Sequence, residues 1–227
     1  MEKDRSGSNA RPGTEKIGLL GGTFDPVHQG HLAIAEAARK TLFLDSVLFI
    51  PAASPPHKTD HQISPLLHRL AMLQIALQDK TCLTISTIEA QRPGVSYTID
   101  TLRELRHSQW SKATFFLIIG LDAFLDLPTW KNCNQLTTQT NLVIVPRPGW
   151  DQERMAMVIE RCFPDYSRPS DKNVWIFEDK GRIYFLACQP LPLSSSSIRL
   201  LVKKGESIRG LVPKGVELYI REHGLYT

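Results

Sequence analysis

The chain predicts an α/β fold with a doubly wound, mostly parallel sheet, on three observations. Short apolar segments alternate with longer ones whose apolar residues recur at helical spacing. The most uniformly apolar short segment, ATFFLIIG at residues 113–120, reads as a strand buried on both faces, as parallel strands are. The first strand passes through a glycine-rich turn straight into a helix, which places ligands at the carboxyl ends of strands. With 227 residues, 42% of them hydrophobic and 22% charged, there is material for one such domain and little tendency to disorder.

Residues 1–14, polar and rich in glycine, proline and serine, read as a disordered tail. They lack the apolar segment of a secretion signal, and their acidic residues argue against a transit peptide. Glu15–Leu20 is a strand, and the helix after the turn carries Leu32, Ile34, Ala35, Ala38 and Leu42 on its apolar face. Asp45–Ala53 is a second strand. A helix over Ser64–Asp79 is expected to start with Ser64 as cap and Pro65 in its first position. A strand at Thr81–Thr87 and a helix at Ser96–His107 precede the apolar strand. Then come a helical stretch at Leu121–Leu136, a strand at Asn141–Gly149, a helix at Asp151–Cys162 and a hairpin turning at Asp179–Gly181. A helix opens at the serines from Ser194, and a closing helix has Pro213 in its first turn and Gly224 past its end. Residues 15–227 thus form one domain, with a small helical portion at about 194–227.

The formal net charge of +4 is mild and gathers into no basic stripe, which excludes a nucleic-acid coat. No apolar run is long enough to span a membrane. Cys82, Cys133, Cys162 and Cys188 lie far apart with no C-x-x-C pair, so they read as free thiols in a reducing cytoplasm, with no metal site. Monomer and homodimer both fit.

The chemistry gathers in a few strings. GGTFDPVHQGH, Gly21–His31, is neither the dinucleotide fingerprint G-x-G-x-x-G nor a Walker A loop. Gly21, Gly22 and Thr23 offer backbone N–H groups at a helix mouth, a setting that suits phosphate, while Phe24 and Pro26 shape the turn. His28 and His31 fall on one face, and Gly30 between them allows close approach of a ligand to the backbone. Taken singly, either histidine is as readily a cap or a core residue. The ordered string resembles the H-x-G-H signature of the nucleotidyltransferases, in the spelling of bacterial nicotinate-nucleotide adenylyltransferases. That resemblance implies a Rossmann-like fold in which the two histidines carry charge to the triphosphate of ATP.

The resemblance extends along most of the chain. LSSSSIR, Leu193–Arg199, is similar to the family's I-S-x-T-x-I-R, with Leu193 and Ser196 as conservative departures. It implies that Ser194, Ser195, Ser196 and Ile198 form a second helix N-terminus against ATP and that Arg199 reaches phosphate oxygens with its planar fork. SPPHK, Ser54–Lys58, implies a phosphate contact from Lys58, with His57 structural. GVSYTIDTL and IIGLDAFLDLPTWKN imply an acceptor pocket. Its ring stacks on Trp130, and N–H groups near Thr98 and on the main chain of Lys131 receive the ring carboxylate. Gly120 and Asp122 match a G-x-D near the nucleotide ribose, with Leu121 in place of the usual small residue, and VPRPG lines the adenine pocket.

The implied reaction takes ATP and nicotinate mononucleotide to deamido-NAD and pyrophosphate. Catalysis by positioning and charge neutralisation falls to His28, His31, Lys58 and Arg199, with Mg²⁺ brought in by ATP. Nicotinamide mononucleotide and phosphopantetheine are the rival acceptors, and a non-catalytic nucleotide sensor on the same fold is the rival role.

Overall fold

Alternation along each strand builds two cores, one on each face of a single sheet. The computed structural model describes residues 14–53, 63–92, 94–146, 152–167, 174–177, 181–186, 188 and 191–227. The strands are β1 (Lys16–Gly22), β2 (Ser46–Pro51), β3 (Leu83–Ile85), β4 (Thr114–Gly120), β5 (Asn141–Val145), β6 (Tyr166–Ser167), β7 (Val174–Phe177) and β8 (Ile183–Phe185). They run in the order β3-β2-β1-β4-β5-β8-β7-β6. From β3 to β8 every neighbouring pair is parallel; β7 and β6 add an antiparallel edge.

Ile17, Leu19, Phe115, Leu117 and Ile119 face one core. It is covered by α3 (Thr98–Arg106), α4 (Leu121–Leu125), α5 (Leu136–Gln139) and α6 (Gln152–Cys162) through Leu102, Phe124, Leu136 and Ile159. Leu20, Phe49, Phe116 and Ile118 face the other. There α1 (Gln29–Leu42), α2 (Leu66–Leu77), α7 (Ser195–Lys203) and α8 (Lys214–Glu222) contribute Ala35, Leu73, Ile198 and Val216. The chain leaves β1 for β2 on one side, while β4 lies on its other side. A crevice therefore opens at the carboxyl ends of β1 and β4.

Several expectations shift locally. Pro65, not Ser64, occupies the position before α2, because Ser64 is otherwise engaged: its N–H donates to Asp25 Oδ2 (3.2 Å) and its carbonyl accepts from Arg69 Nε (3.0 Å). The stretch 121–136 breaks after α4 into single turns at Leu127–Thr129 and Cys133–Gln135, around Pro128 and around Asn132 at φ 52°. The hairpin forms between β7 and β8; of its expected turn residues, Asp179 and Lys180 lie outside the described residues. The cysteines, distant in sequence, are not all distant in space. Cys133 and Cys162 are both reduced, and their sulfurs meet at 3.3 Å, with burial pushing the Cys162 thiol up to about 12. Among the described residues no helix is long and apolar enough to cross a membrane.

Candidate active site

β1 ends at Gly22 and the chain turns sharply. A side chain at Gly22 would meet the Phe24 ring at 3.1 Å; Phe24 is itself buried in the left-handed region at φ 52°. The Asp25–Pro26 peptide is cis. His28 is the residue before α1, and its N–H donates to His31 Nδ1 (3.2 Å). With Nδ1 accepting, the neutral His31 ring carries its proton on Nε2 and is a donor there. The two rings stack at 3.7 Å between centroids, and Phe24 packs edge-on against His31. A Cβ at Gly30 would lie 3.0 Å from His28 Nδ1, so glycine here makes room for the histidine ring rather than for a ligand. Open space for a ligand exists instead beside Gly21 and Gly120.

The histidines were expected to bring charge. His28 does not: it is buried, and desolvation pushes its pKa down to about 4, so at neutral pH it is uncharged. Its Nδ1 is buried with no hydrogen-bond partner among the described residues.

The second helix mouth docks on the same loop. Ser194 caps α7 by accepting from Ser197 N (3.0 Å), and Ser195 Oγ donates to the Pro26 carbonyl (2.9 Å). Arg199 Nη1 donates to the Asp25 carbonyl (2.7 Å) and Nη2 to Ser196 Oγ (3.3 Å), while Ile198 is fully buried beneath. Below the loop, the buried Arg69 donates through Nη1 to the carbonyls of Thr23 (2.9 Å) and Ala52 (2.8 Å). Two helix N-termini and an arginine fork thus converge on residues 23–28, an arrangement that favours an anion.

Next to the loop lies a cavity of about 440 Å³, lined by Gly21, Gly22 and His31 and also by Thr98, Trp130 and Lys131. Thr98 opens α3, so its N–H lacks an intrahelical partner. Trp130 is half-buried against the core, leaving an aromatic surface at the cavity. Lys131 Nζ reaches Asp100 Oδ2 (2.7 Å) and sits over the Tyr97 ring (4.8 Å), tying the Trp130 segment to the mouth of α3. The cavity is also lined by Glu89, whose carboxyl accepts from Thr101 Oγ1 (2.9 Å) and is pushed up by burial. Ser96 lines it too, with a buried hydroxyl that has no partner among the described residues.

The family model for cytidylyltransferase-like proteins matches residues 19–201. A Geobacter sulfurreducens protein named probable nicotinate-nucleotide adenylyltransferase is 42% identical over 218 residues, covering 93% of this chain and 98% of its own. A Desulfitobacterium hafniense protein of the same name is 37% identical, covering 96% and 98%. The chain belongs to the cytidylyltransferase-like family and, within it, to the nicotinate-nucleotide adenylyltransferases. The fold agrees. Plasmodium falciparum nicotinic acid mononucleotide adenylyltransferase superposes with a TM-score of 0.71 both complexed with APC (16% identity) and complexed with NaAD (17%). Each superposition covers 93% of this chain and 97% of that one.

Within this adenylyltransferase fold, the residues singled out in the sequence fall into four groups. Gly21, Gly22, His31, Gly120, Thr98, Trp130 and Lys131 line the cavity. Thr23, Phe24, His28, Gly30, Ser194, Ser195, Ser196, Ile198 and Arg199 make the joint between loop and α7 beside it. Asp122 lies on the exposed first turn of α4, outside the lining residues, whereas Leu121 turns inward and packs in the core. Lys58, with His57, and Arg147–Gly149 of VPRPG lie outside the described residues. Sequence reasoning missed Arg69, Tyr226, Glu89 and the side chain of Lys131. Only Arg69 carried a signal: it occupies an apolar register of α2 with Met72, Leu73 and Ala76, where a lone charge demands buried partners.

Proposed function

We propose that the chain transfers the adenylyl group of ATP to nicotinate mononucleotide, forming deamido-NAD and releasing pyrophosphate. The observation that carries this reading is that one cavity is lined both by the glycine loop with His31 and by Trp130 with the mouth of α3. A loop suited to an anion and an aromatic platform lining one cavity support the joining of a triphosphate to a pyridine mononucleotide. An oxygen of the acceptor phosphate attacks the α-phosphorus of ATP in line, and the bond from that phosphorus to the bridging oxygen of the leaving pyrophosphate breaks. The attacking phosphate is largely ionised near neutral pH, so no strong general base is needed. The protein's work is to position both phosphates and to neutralise charge on the leaving group.

His31 donates from Nε2 to a phosphate oxygen. Arg199 rests on the Asp25 carbonyl with N–H donors remaining for the triphosphate, and Lys58, which lies outside the described residues, adds a cation. Gly21, Gly22 and Gly120 let the nucleotide lie against the backbone. Ser194–Ser196 present the mouth of α7, and Asp122 serves the ribose side. Among the described residues no group of three or more metal-ligating side chains comes together, and Asp25 is already engaged by Ser64 and Tyr226. A magnesium ion carried on ATP would be held largely by phosphate oxygens and water and would offset phosphate charge. On the acceptor side the pyridine stacks on Trp130, and the Thr98 and Lys131 N–H groups receive its carboxylate. Two donors reward a carboxylate and leave the NH₂ of an amide facing another donor. The pattern of free cysteines supports a cytoplasmic location for this reaction.

Purified protein incubated with ATP, Mg²⁺ and either nicotinate or nicotinamide mononucleotide tests this, with dinucleotide and pyrophosphate followed by chromatography. The expected result is turnover with strong preference for the nicotinate acceptor. Equal use of both would overturn the acceptor assignment, and no product with either would overturn the reaction.

A further inference from the structure

After α8 the chain turns at Gly224 (φ 56°), and the Leu225 N–H closes on the Ile220 carbonyl (3.0 Å). This delivers Tyr226 to the underside of the phosphate loop. There its hydroxyl donates to Asp25 Oδ1 at 2.6 Å, across 201 residues of sequence. Asp25 is almost fully buried, and its other carboxylate oxygen accepts from Ser64 N (3.2 Å). The Arg69 guanidinium, attracted to Asp25, holds the carbonyls of Thr23 and Ala52 on either side. The backbone carbonyl of this same Asp25 accepts the Arg199 fork (2.7 Å). Two residues at this contact are held in the left-handed region although neither is glycine: Phe24 (φ 52°) and Tyr226 (φ 69°). Such backbone persists where surrounding contacts over-determine it, and it gathers at functional sites.

We propose that Tyr226 is a positioning residue for the triphosphate half of the site: through the Asp25 carboxylate, its hydroxyl fixes the loop carbonyl on which Arg199 rests. The inference builds on the adenylyl-transfer reading, in which Arg199 meets the triphosphate. Tyr226 touches no substrate. Its effect passes to ATP and not to the acceptor, because among the described residues no hydrogen bond of this network reaches Thr98, Trp130 or Lys131.

The test is Tyr226→Phe, which keeps the ring and removes only the hydroxyl. Equilibrium dissociation constants for a non-hydrolysable ATP analogue and for nicotinate mononucleotide are measured by calorimetry, alongside the melting temperature. The ATP-analogue Kd is expected to rise about tenfold while the acceptor Kd changes less than about twofold. A melting temperature that falls with both constants unchanged would overturn it, as would an equal rise in both. A second arm combines Tyr226→Phe with Arg199→Gln. If Tyr226 acts through Arg199, the double variant binds the analogue about as weakly as Arg199→Gln alone, whereas additive losses would contradict the coupling. Because these readouts are binding constants, a wild-type protein that binds ATP but forms no dinucleotide would refute the reaction and leave this test standing.

Discussion

The loop from Gly21 to His28 and the segment from Thr129 to Cys133 face one cavity, yet they are held in place by different means. The loop is clamped from beneath and from the side by buried or half-buried groups far away in sequence: Arg69, Tyr226, Ser195 and Arg199. Its own residues Phe24, Asp25 and His28 are buried. The acceptor segment is tied by a more exposed ion pair, Lys131–Asp100, and by a tryptophan only partly packed on the core. Hydrogen bonds to buried partners are costly to break, whereas exposed ion pairs contribute little. On the proposed reading, the half assigned to the triphosphate is accordingly preorganised, and the half assigned to the acceptor is the less constrained of the two.

The sharpest way to break this contrast is to remove the clamp. Arg69→Met strips a buried cation from three backbone carbonyls and from Asp25, and should cost about 3–5 kcal/mol of stability. Urea unfolding measures it; a loss below about 1 kcal/mol would put the loop in the same class as the acceptor segment. Within the clamped half, His31→Ala removes a preorganised donor and should lower kcat by about 100- to 1,000-fold with the fold intact. Single-turnover kinetics and circular dichroism check both parts, and near-wild-type rates would remove His31 from the mechanism.

A pH experiment sharpens the same point. The folded-state pKa of His28 is about 4 against an ordinary value of 6.5, so between these values the unfolded chain binds the proton more readily. Stability from the neutral buried ring is complete above about pH 6.5 and declines as pH falls toward 4, by at most about 3 kcal/mol. Unfolding free energies of wild type and His28→Gln at pH 7 and pH 5 should differ in slope, the variant being flatter; parallel slopes would show that His28 titrates normally. The smallest effect belongs to the exposed tie. Lys131→Met should raise KM for the nicotinate acceptor only about two- to fivefold, a difference that fades at high salt.

The same contrast governs what the sequence disclosed. Chemistry carried by neighbouring residues was legible: the Gly21–His31 string, the serine cap of α7 and the alternation of strands all depend on spacing within one or two elements. The supports were not. Tyr226 meets Asp25 across 201 residues, and Cys133 meets Cys162 across 29, by packing that no local period encodes. Ser64 looked like a cap because its side chain suits one, but its backbone groups were already bound to Asp25 and Arg69. Gly30 looked like an opening for ligand because the string could not show the His28 ring lying against it.

The central claim is that two separately built halves meet at one cavity, and Trp130→Ala tests it most directly. Calorimetry on this variant should show affinity for a non-hydrolysable ATP analogue within about twofold of wild type. Affinity for nicotinate mononucleotide should fall about 10- to 100-fold, as expected for loss of an aromatic platform. Equal loss of both ligands would show that the halves are one structure and contradict the account.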